Sequence, residues 1–281
     1  MKKIIFSVII ICLFSVQALK SQPWKHGKHF LFFDKPTIEV SYGTAFTGLD
    51  GLISKIENSG MFDVKLGYSS VRKYHNRNDA LIYEYGYLTG GGFSPDMYIG
   101  SKTASNLKSD LWRIGLGFKS GFQTGSRDVS FLPFTSSNMV WSRLNLKTFP
   151  DSSNMYDIKR LDMYNKSVRF GINFEGGLDI TFSNSFSCIL AYDRTLVFQR
   201  CLFFKNSMSL LIQELGSGLI KHFSMEVFRE NPVAGSIVNF ALRNAYLFLF
   251  YQLRSKEMNF PFGGEPSLDY QAFKIGVKFR F

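Results

Sequence analysis

Phe273-Lys274-Ile275-Gly276-Val277-Lys278-Phe279-Arg280-Phe281 puts an apolar side chain at every odd position and Lys, Gly, Lys and Arg at the even ones. Successive side chains of a β-strand point to opposite faces, so a period of two sorts them onto two sides. A helix, with its period of 3.6, would scatter both sets around its girth. The stretch therefore reads as a strand with one aromatic-rich apolar face and one polar face.

The same alternation recurs upstream. Ile38, Val40, Tyr42, Thr44 and Phe46 alternate with Glu39, Ser41, Gly43 and Ala45. Phe62, Val64, Leu66 and Tyr68 alternate with Asp63, Lys65, Gly67 and Ser69. Leu81, Tyr83, Tyr85 and Tyr87 face away from Ile82, Glu84, Gly86 and Leu88. Trp112, Ile114, Leu116 and Phe118 oppose Arg113, Gly115, Gly117 and Lys119. Val168 to Ile180 and, after a tight Ser183-Asn184-Ser185 turn, Phe186 to Tyr192 continue the pattern. A further strand is expected near Val140 to Thr148. Eight strands result.

A sandwich in water also alternates, but three features favour a membrane. The strands are long, the apolar face is rich in Phe, Tyr and Trp as interfacial girdles require, and the polar face carries many glycines. The sequence holds 30 Phe and 13 Tyr, yet beyond the N-terminal segment it has no long charge-free apolar run. Such a chain can cross a bilayer only as a closed barrel, in which every backbone group is paired. The predicted fold is an all-β antiparallel transmembrane barrel.

The N-terminus points to export. Lys2 and Lys3 precede an apolar run from Ile4 to Val16, broken only by Ser7 and Ser15. That is shorter than the ~20 residues of a membrane span and suits the core of a signal peptide. Val16-Gln17-Ala18 offers a cleavage step, and a cut before Gln22 is the alternative. The expected organisation is a signal peptide at 1–21, an N-terminal arm at 22–36 and a barrel at 37–281. Without Lys2 and Lys3, 31 basic residues against 22 acids leave a charge of +9. The basic residues are scattered singly with no nucleic-acid signature, so anionic lipid headgroups are the natural counter-charge. Cys188 and Cys201 lie ~40 Å apart if strand joins them, too far for a disulfide. No metal or cofactor signature is present.

The end of the chain carries a resemblance. Lys274, Gly276, Phe279 and Phe281 occupy the defining positions of the terminal strand by which the outer-membrane assembly machinery recognises its barrels. In pattern the chain resembles small Gram-negative outer-membrane barrels of the OmpA, OmpX and PagL type. That implies location in the outer membrane among lipids and lipopolysaccharide. It also implies the barrel assembly machinery as a partner, with those four residues as the assembly signal.

Loop lengths fit such a barrel with its N-terminus in the periplasm. The links at 71–79 and 183–185 are short, and those at 48–60, 89–109 and 149–166 are long. The link at 124–137 is too long for the periplasmic turn it should be. Residues 203–256 break the alternation. Leu211, Leu215, Leu219, Phe223 and Val227 recur every fourth residue, a helical stripe. Asn231-Pro232 reads as an N-cap followed by Pro at the first helical position, and Val233 to Leu253 continues as a second helix. A helical hairpin before the last strand is predicted. The alternative makes Tyr246 to Arg254 a strand, giving ten.

Inward positions on the strands give the acids Glu39, Asp63, Glu84, Glu175, Asp179 and Asp193. They give the bases Lys65, Arg113, Lys119, Arg169, Lys274, Lys278 and Arg280. In a narrow lumen these charges should pair and close the pore, with Arg169, Glu175 and Asp179 near Lys274, Lys278 and Arg280. A structural or partner-binding barrel is favoured over a channel. The alternative is an accessory subunit of an export or lipid-transport assembly, engaged through residues 203–256. Leu215, Leu219 and Phe223 form the candidate partner surface, and with the lumen so charged, the hairpin is expected on the barrel's rim. Barrels such as PagL act on lipid A with a Ser, a His and an acid. His222, Ser224 and Glu226 are the matching cluster here, but side chains two and four apart on a helix cannot converge as a triad. The His26 and His29 pair reads as part of a basic arm, and His75 as a solvated turn.

Overall fold

The computed structural model describes residues 35–74, 80–100, 107–125, 129–148, 155–183 and 185–281. The expected signal peptide, most of the N-terminal arm, His26, His29 and His75 lie outside these residues.

Eight strands form a closed antiparallel barrel in sequential order. They are β1 (Lys35–Leu49), β2 (Ser59–Lys73), β3 (Leu81–Ser94), β4 (Ser109–Gly125), β5 (Ser130–Leu146), β6 (Val168–Thr181), β7 (Phe186–Val197) and β8 (Leu268–Arg280). The quoted terminal strand closes the barrel, with Val277 opposite Val40 and Lys278 opposite Glu39. Helix α1 (Met155–Asp162) lies in the β5–β6 link, and α2 (Phe203–Glu230) and α3 (Pro232–Lys256) form a hairpin between β7 and β8. Asn231 caps α3 as its sequence position indicates, its side chain accepting from the Ala234 amide at 3.0 Å. Tyr246 to Arg254 is helix, so the strand count is eight.

The strand ends that flank the long links, 50–58, 95–108, 147–167 and 198–267, lie at one end of the barrel, and those that flank the short links, 74–80, 126–129 and 182–185, lie at the other. The expected long link at 124–137 is corrected, because β5 begins at Ser130. Its first half lacks a clean period of two. Leu132 and Phe134 point inward, whereas Thr135 and Ser137 face out. Strand β3 is likewise inverted. Its tyrosines fill the lumen and Glu84 lies on the outer wall, opposite to the expected placement.

Outside, large apolar side chains stand exposed along most of the wall, among them Leu66, Leu88, Ile114, Leu190, Phe273 and Ile275. Inside, Glu39, Lys65, Lys119 and Glu175 are fully buried. A protein folded in water sorts its residues the other way round.

Candidate functional site

Strand pleating aims one residue in two at the barrel axis, and eight strands leave a lumen that side chains fill. The filling comes in three layers. At the middle, five acids meet five bases: Glu39, Asp63, Glu175, Asp179 and Asp193 with Lys65, Arg113, Lys119, Lys274 and Lys278. Lys65 bridges Glu39 and Glu175 at 2.7 Å each. Lys274 reaches Glu175 at 2.7 Å, Asp193 at 3.1 Å and Asp63 at 3.3 Å. Arg113 joins Asp193 at 2.9 Å and Asp63 at 3.4 Å, Lys119 joins Glu39 at 2.5 Å, and Lys278 pairs with Asp179. The equal count lets every charge meet an opposite one, the condition for burying so many.

Neutral groups complete the layer. Asn173 donates to Asp193 at 2.6 Å and to Thr195 at 2.8 Å, and Thr89 donates to Asp63 at 2.8 Å. Tyr87 donates to Asn138 at 2.6 Å and Tyr85 to the Thr37 carbonyl at 3.2 Å. Phenol rings serve here because one side chain supplies both bulk and a polar tip. That explains the inverted face of β3. Lys119 stands over the Phe134 ring at 4.0 Å and Lys278 over Tyr83 at 4.5 Å.

Towards the short-turn end, Tyr83, Tyr85, Leu132, Phe134 and Ile189 pack into an apolar layer. At the long-loop end a larger core closes the mouth. Leu49, Phe93, Leu111, Leu144 and Tyr270 from the wall meet Ile56, Leu107, Leu161 and Tyr164 from the loops. Asp157 on α1 ties this cap together, accepting from the Ser54 amide at 2.8 Å and the Ile53 amide at 3.3 Å. Burial pushes the Asp157 carboxyl up, but these amides and the Ser54 hydroxyl outweigh it and hold it below its ordinary value.

Four of the six residues expected to share the charge network lie in it: Glu175, Asp179, Lys274 and Lys278. Arg169 and Arg280 face the axis but sit at opposite ends of the lumen. Arg169 is turned into the loops, donating to Ser167 at 2.8 Å and to the Gln199 and Met163 carbonyls. Arg280 is half-buried at the last position of β8. Of the assembly-signal positions, Phe279 and Phe281 are exposed on the outer side, Lys274 points into the lumen and Gly276 packs against β1 at Val40 and Ser41.

The second feature is the hairpin, which lies along the outer wall and not on the rim. Helix α3 packs over β4 to β7. Ser236 donates to the Phe122 carbonyl at 2.6 Å, Arg243 to the Ser120 hydroxyl at 2.8 Å and Asn244 to Thr135 at 3.2 Å. These wall positions are outward-facing yet buried, and their partners on α3 are polar. Sequence patterning singles out neither set. At the hairpin's turn, Phe228 stacks on Phe122 at 4.3 Å and meets Tyr74 at 5.8 Å, beside the β2–β3 turn. At its base, Tyr251 donates to Asp269 at 3.0 Å at the start of β8. Leu215, Leu219 and Phe223 stand on the far side, 58, 74 and 58 % exposed. Ser224 is buried and donates to the Ile220 carbonyl, whereas His222 and Glu226 are exposed, so the three do not meet. No group of His, Cys, Asp and Glu that could hold a metal ion occurs among the described residues.

These features define a closed eight-stranded barrel with a filled lumen and a helical hairpin on its outer wall. No protein-family model and no curated protein matches the sequence. Among solved structures, the chain is similar to Neisserial surface protein A, at 8% identity and a TM-score of 0.39, over 88% of this chain and 97% of that one. It is also similar to Ail, the attachment invasion locus protein of Yersinia pestis, at 9% identity and a TM-score of 0.34, over 88% of this chain and 98% of that one. A structure of Ail in complex with the heparin analogue sucrose octasulfate gives 9% identity and a TM-score of 0.32 over the same shares. The architecture of the present barrel rests on its own strand pairing.

Proposed function

We propose that this chain is an outer-membrane barrel of a Gram-negative envelope that does not conduct, and that it acts through its outer surface as a structural or binding protein. The observation that carries this is the inversion of polarity across the wall. Ile275 is 62 % exposed, while its neighbour Lys274 is 4 % exposed among three carboxylates. In water, the apolar wall would be an exposed patch far larger than a monomeric soluble protein tolerates. In a bilayer it faces acyl chains, and the closed ladder leaves no strand edge unpaired. A pore, by contrast, needs a continuous polar path, and the apolar core at the long-loop end and the paired charges beneath it supply none.

Within this proposal Lys274, Gly276, Phe279 and Phe281 serve as the signal read by the assembly machinery, and the long-loop end faces outwards, among lipopolysaccharide headgroups. Expression in a Gram-negative host with fractionation of the envelope tests it. The folded chain is expected in the outer-membrane fraction, migrating faster on a gel before heating than after. Recovery of the folded chain in the soluble periplasm would refute the proposal.

A further inference from the structure

Helix α2 reverses the ordinary amphipathic order. Its buried face is Asn206, Ser209, Gln213, Ser217 and Ser224, with Phe228 the one large apolar side chain, at the hairpin's turn. Its exposed face is Met208, Leu211, Leu215, Leu219 and Phe223. Helix α3 does the same in its first half, burying Gly235, Ser236 and Asn239 and exposing Val233, Ile237 and Leu242, while its second half buries Leu247, Phe250 and Tyr251 and still exposes Phe248 and Leu249. A helix on a water-facing surface turns its polar side out.

The charges are sorted too. The exposed charged residues Lys205, Glu226, Arg229, Glu230 and Lys256 all lie within the first or last five residues of their helices. Between these ends, among the described residues, the exposed ionisable side chain is His222. Mid-helix charges turn inward. Arg243 donates to Ser120 at 2.8 Å and interacts electrostatically with Glu214, and Lys221 lies 3.6 Å from Glu84 on the wall.

The dimensions agree. At 1.5 Å per residue, the 25 residues of α3 span about 37 Å and the 28 of α2 about 42 Å. A hydrocarbon core is ~30 Å thick. The hairpin's base sits at the long-loop end, through Tyr251 and Asp269, and its turn at the short-turn end, through Phe228 and Phe122. It therefore runs the height of the barrel, and its exposed face continues the wall's apolar belt. Close helix approach at small residues is also present. A Cβ on Gly235 would stand 2.2 Å from the Phe228 backbone, and one on Gly216 2.0 Å from the Tyr246 hydroxyl.

We propose that the hairpin is a membrane-spanning element seated on a polar strip of the wall, and that the occupant of its outer face is lipid acyl chain. The strip comprises Ser120, Thr135, Gly176 and Arg194, outward positions that an ordinary barrel gives to aliphatic or aromatic residues. Arg194 is covered by Tyr192 on the wall and by Phe248 and Tyr251 on α3, whose rings lie 5.5, 5.2 and 5.8 Å from its guanidinium carbon. The hairpin thus completes the lipid-facing surface where the strands alone do not. This rests on the barrel's own place in a membrane.

Spin labels on single cysteines test it, in the full chain carrying Cys12→Ser, Cys188→Ser and Cys201→Ser, reconstituted in phosphatidylcholine vesicles. Leu219→Cys probes the hairpin, Ile275→Cys the barrel wall and Ile53→Cys a loop 73 % exposed at that residue. Relaxation of the label at 219 should be dominated by oxygen over a water-soluble nickel chelate, as at 275 and opposite to 53. Chelate access at 219 with oxygen dominance at 275 would overturn the inference alone. Chelate access at 275 would overturn the membrane proposal as well. A label at 219 reached by neither collider would show a second copy covering the face, and would also overturn the assignment to lipid.

Discussion

Lys274→Met removes the base that touches the most acids in the lumen. Its Nζ lies within 3.3 Å of Glu175, Asp193 and Asp63, and its side chain is 1 % exposed. The substitution keeps a chain of similar length but leaves five acids facing four bases. Breaking a buried pair while keeping the partner charged costs ~3–5 kcal/mol, because the orphaned carboxylate stays out of water. Lys65 still reaches Glu175 and Arg113 still reaches Asp63 and Asp193, so a loss near ~3 kcal/mol is expected. Guanidinium unfolding of the micelle-reconstituted barrel, followed by Trp fluorescence, measures it. Adding Glu175→Gln restores four acids to four bases and keeps an acceptor for Lys65, so the double variant should recover over half of the loss. As a control, Arg200→Ala removes an ion pair with Glu265 whose side chains are 60 and 37 % exposed, and should cost no more than ~1 kcal/mol. A loss below ~1 kcal/mol for Lys274→Met, or a double variant worse than the single, would refute the view that charge pairing holds the lumen.

Deleting Phe281 should lower the amount of heat-modifiable barrel in the outer membrane several-fold while leaving the unfolding midpoint of what does assemble nearly unchanged, which gel migration and denaturant titration will show. Gly235→Ala drives a Cβ to 2.2 Å from the Phe228 backbone; it should cost ~1–3 kcal/mol as overpacking and increase protease cleavage near Asn231, with strand content by circular dichroism retained. Asp157 has a lowered folded value, so its tether on Ser54 and Ile53 contributes above the ordinary carboxylate value of 3.8 and is lost as pH falls through the lowered one. Limited proteolysis should then find the 50–58 loop protected at neutral pH and cleavable only in strong acid, whereas Asp157→Asn should be cleavable at both; identical pH profiles would contradict the tether.

The strands legible in the sequence are those whose outer face meets the general apolar belt. In β1, β2, β4 and β8, residues such as Ile38, Phe62, Ile114 and Phe273 alternate cleanly with Glu39, Asp63, Arg113 and Lys274. Strand β3 alternates just as well, but tyrosine satisfies either side, and its phenols turn in to the network. The first half of β5 could not be found by period, because Thr135 lies under α3 and the lumen there takes Leu132 and Phe134. The hairpin was legible as helices from its four-residue stripe and the Asn231-Pro232 cap. Its seat was not, since nothing in the sequence pairs the polar Ser236, Arg243 and Asn244 with the wall residues Phe122, Ser120 and Thr135 that meet them. The lumen charges were legible by parity alone, except where parity was inverted at Glu84 or where the strand end carried Arg169 and Arg280 out of the layer.

Conductance across a planar lipid bilayer tests the closed lumen most directly. Purified, refolded chain is inserted at a concentration where a general porin of the same preparation gives regular steps. The paired charges and the apolar cap predict a flat current at all moderate voltages, and openings only after Lys274→Met combined with removal of the cap side chains Leu161 and Tyr164. Steady unitary currents from the unmodified chain would contradict the account.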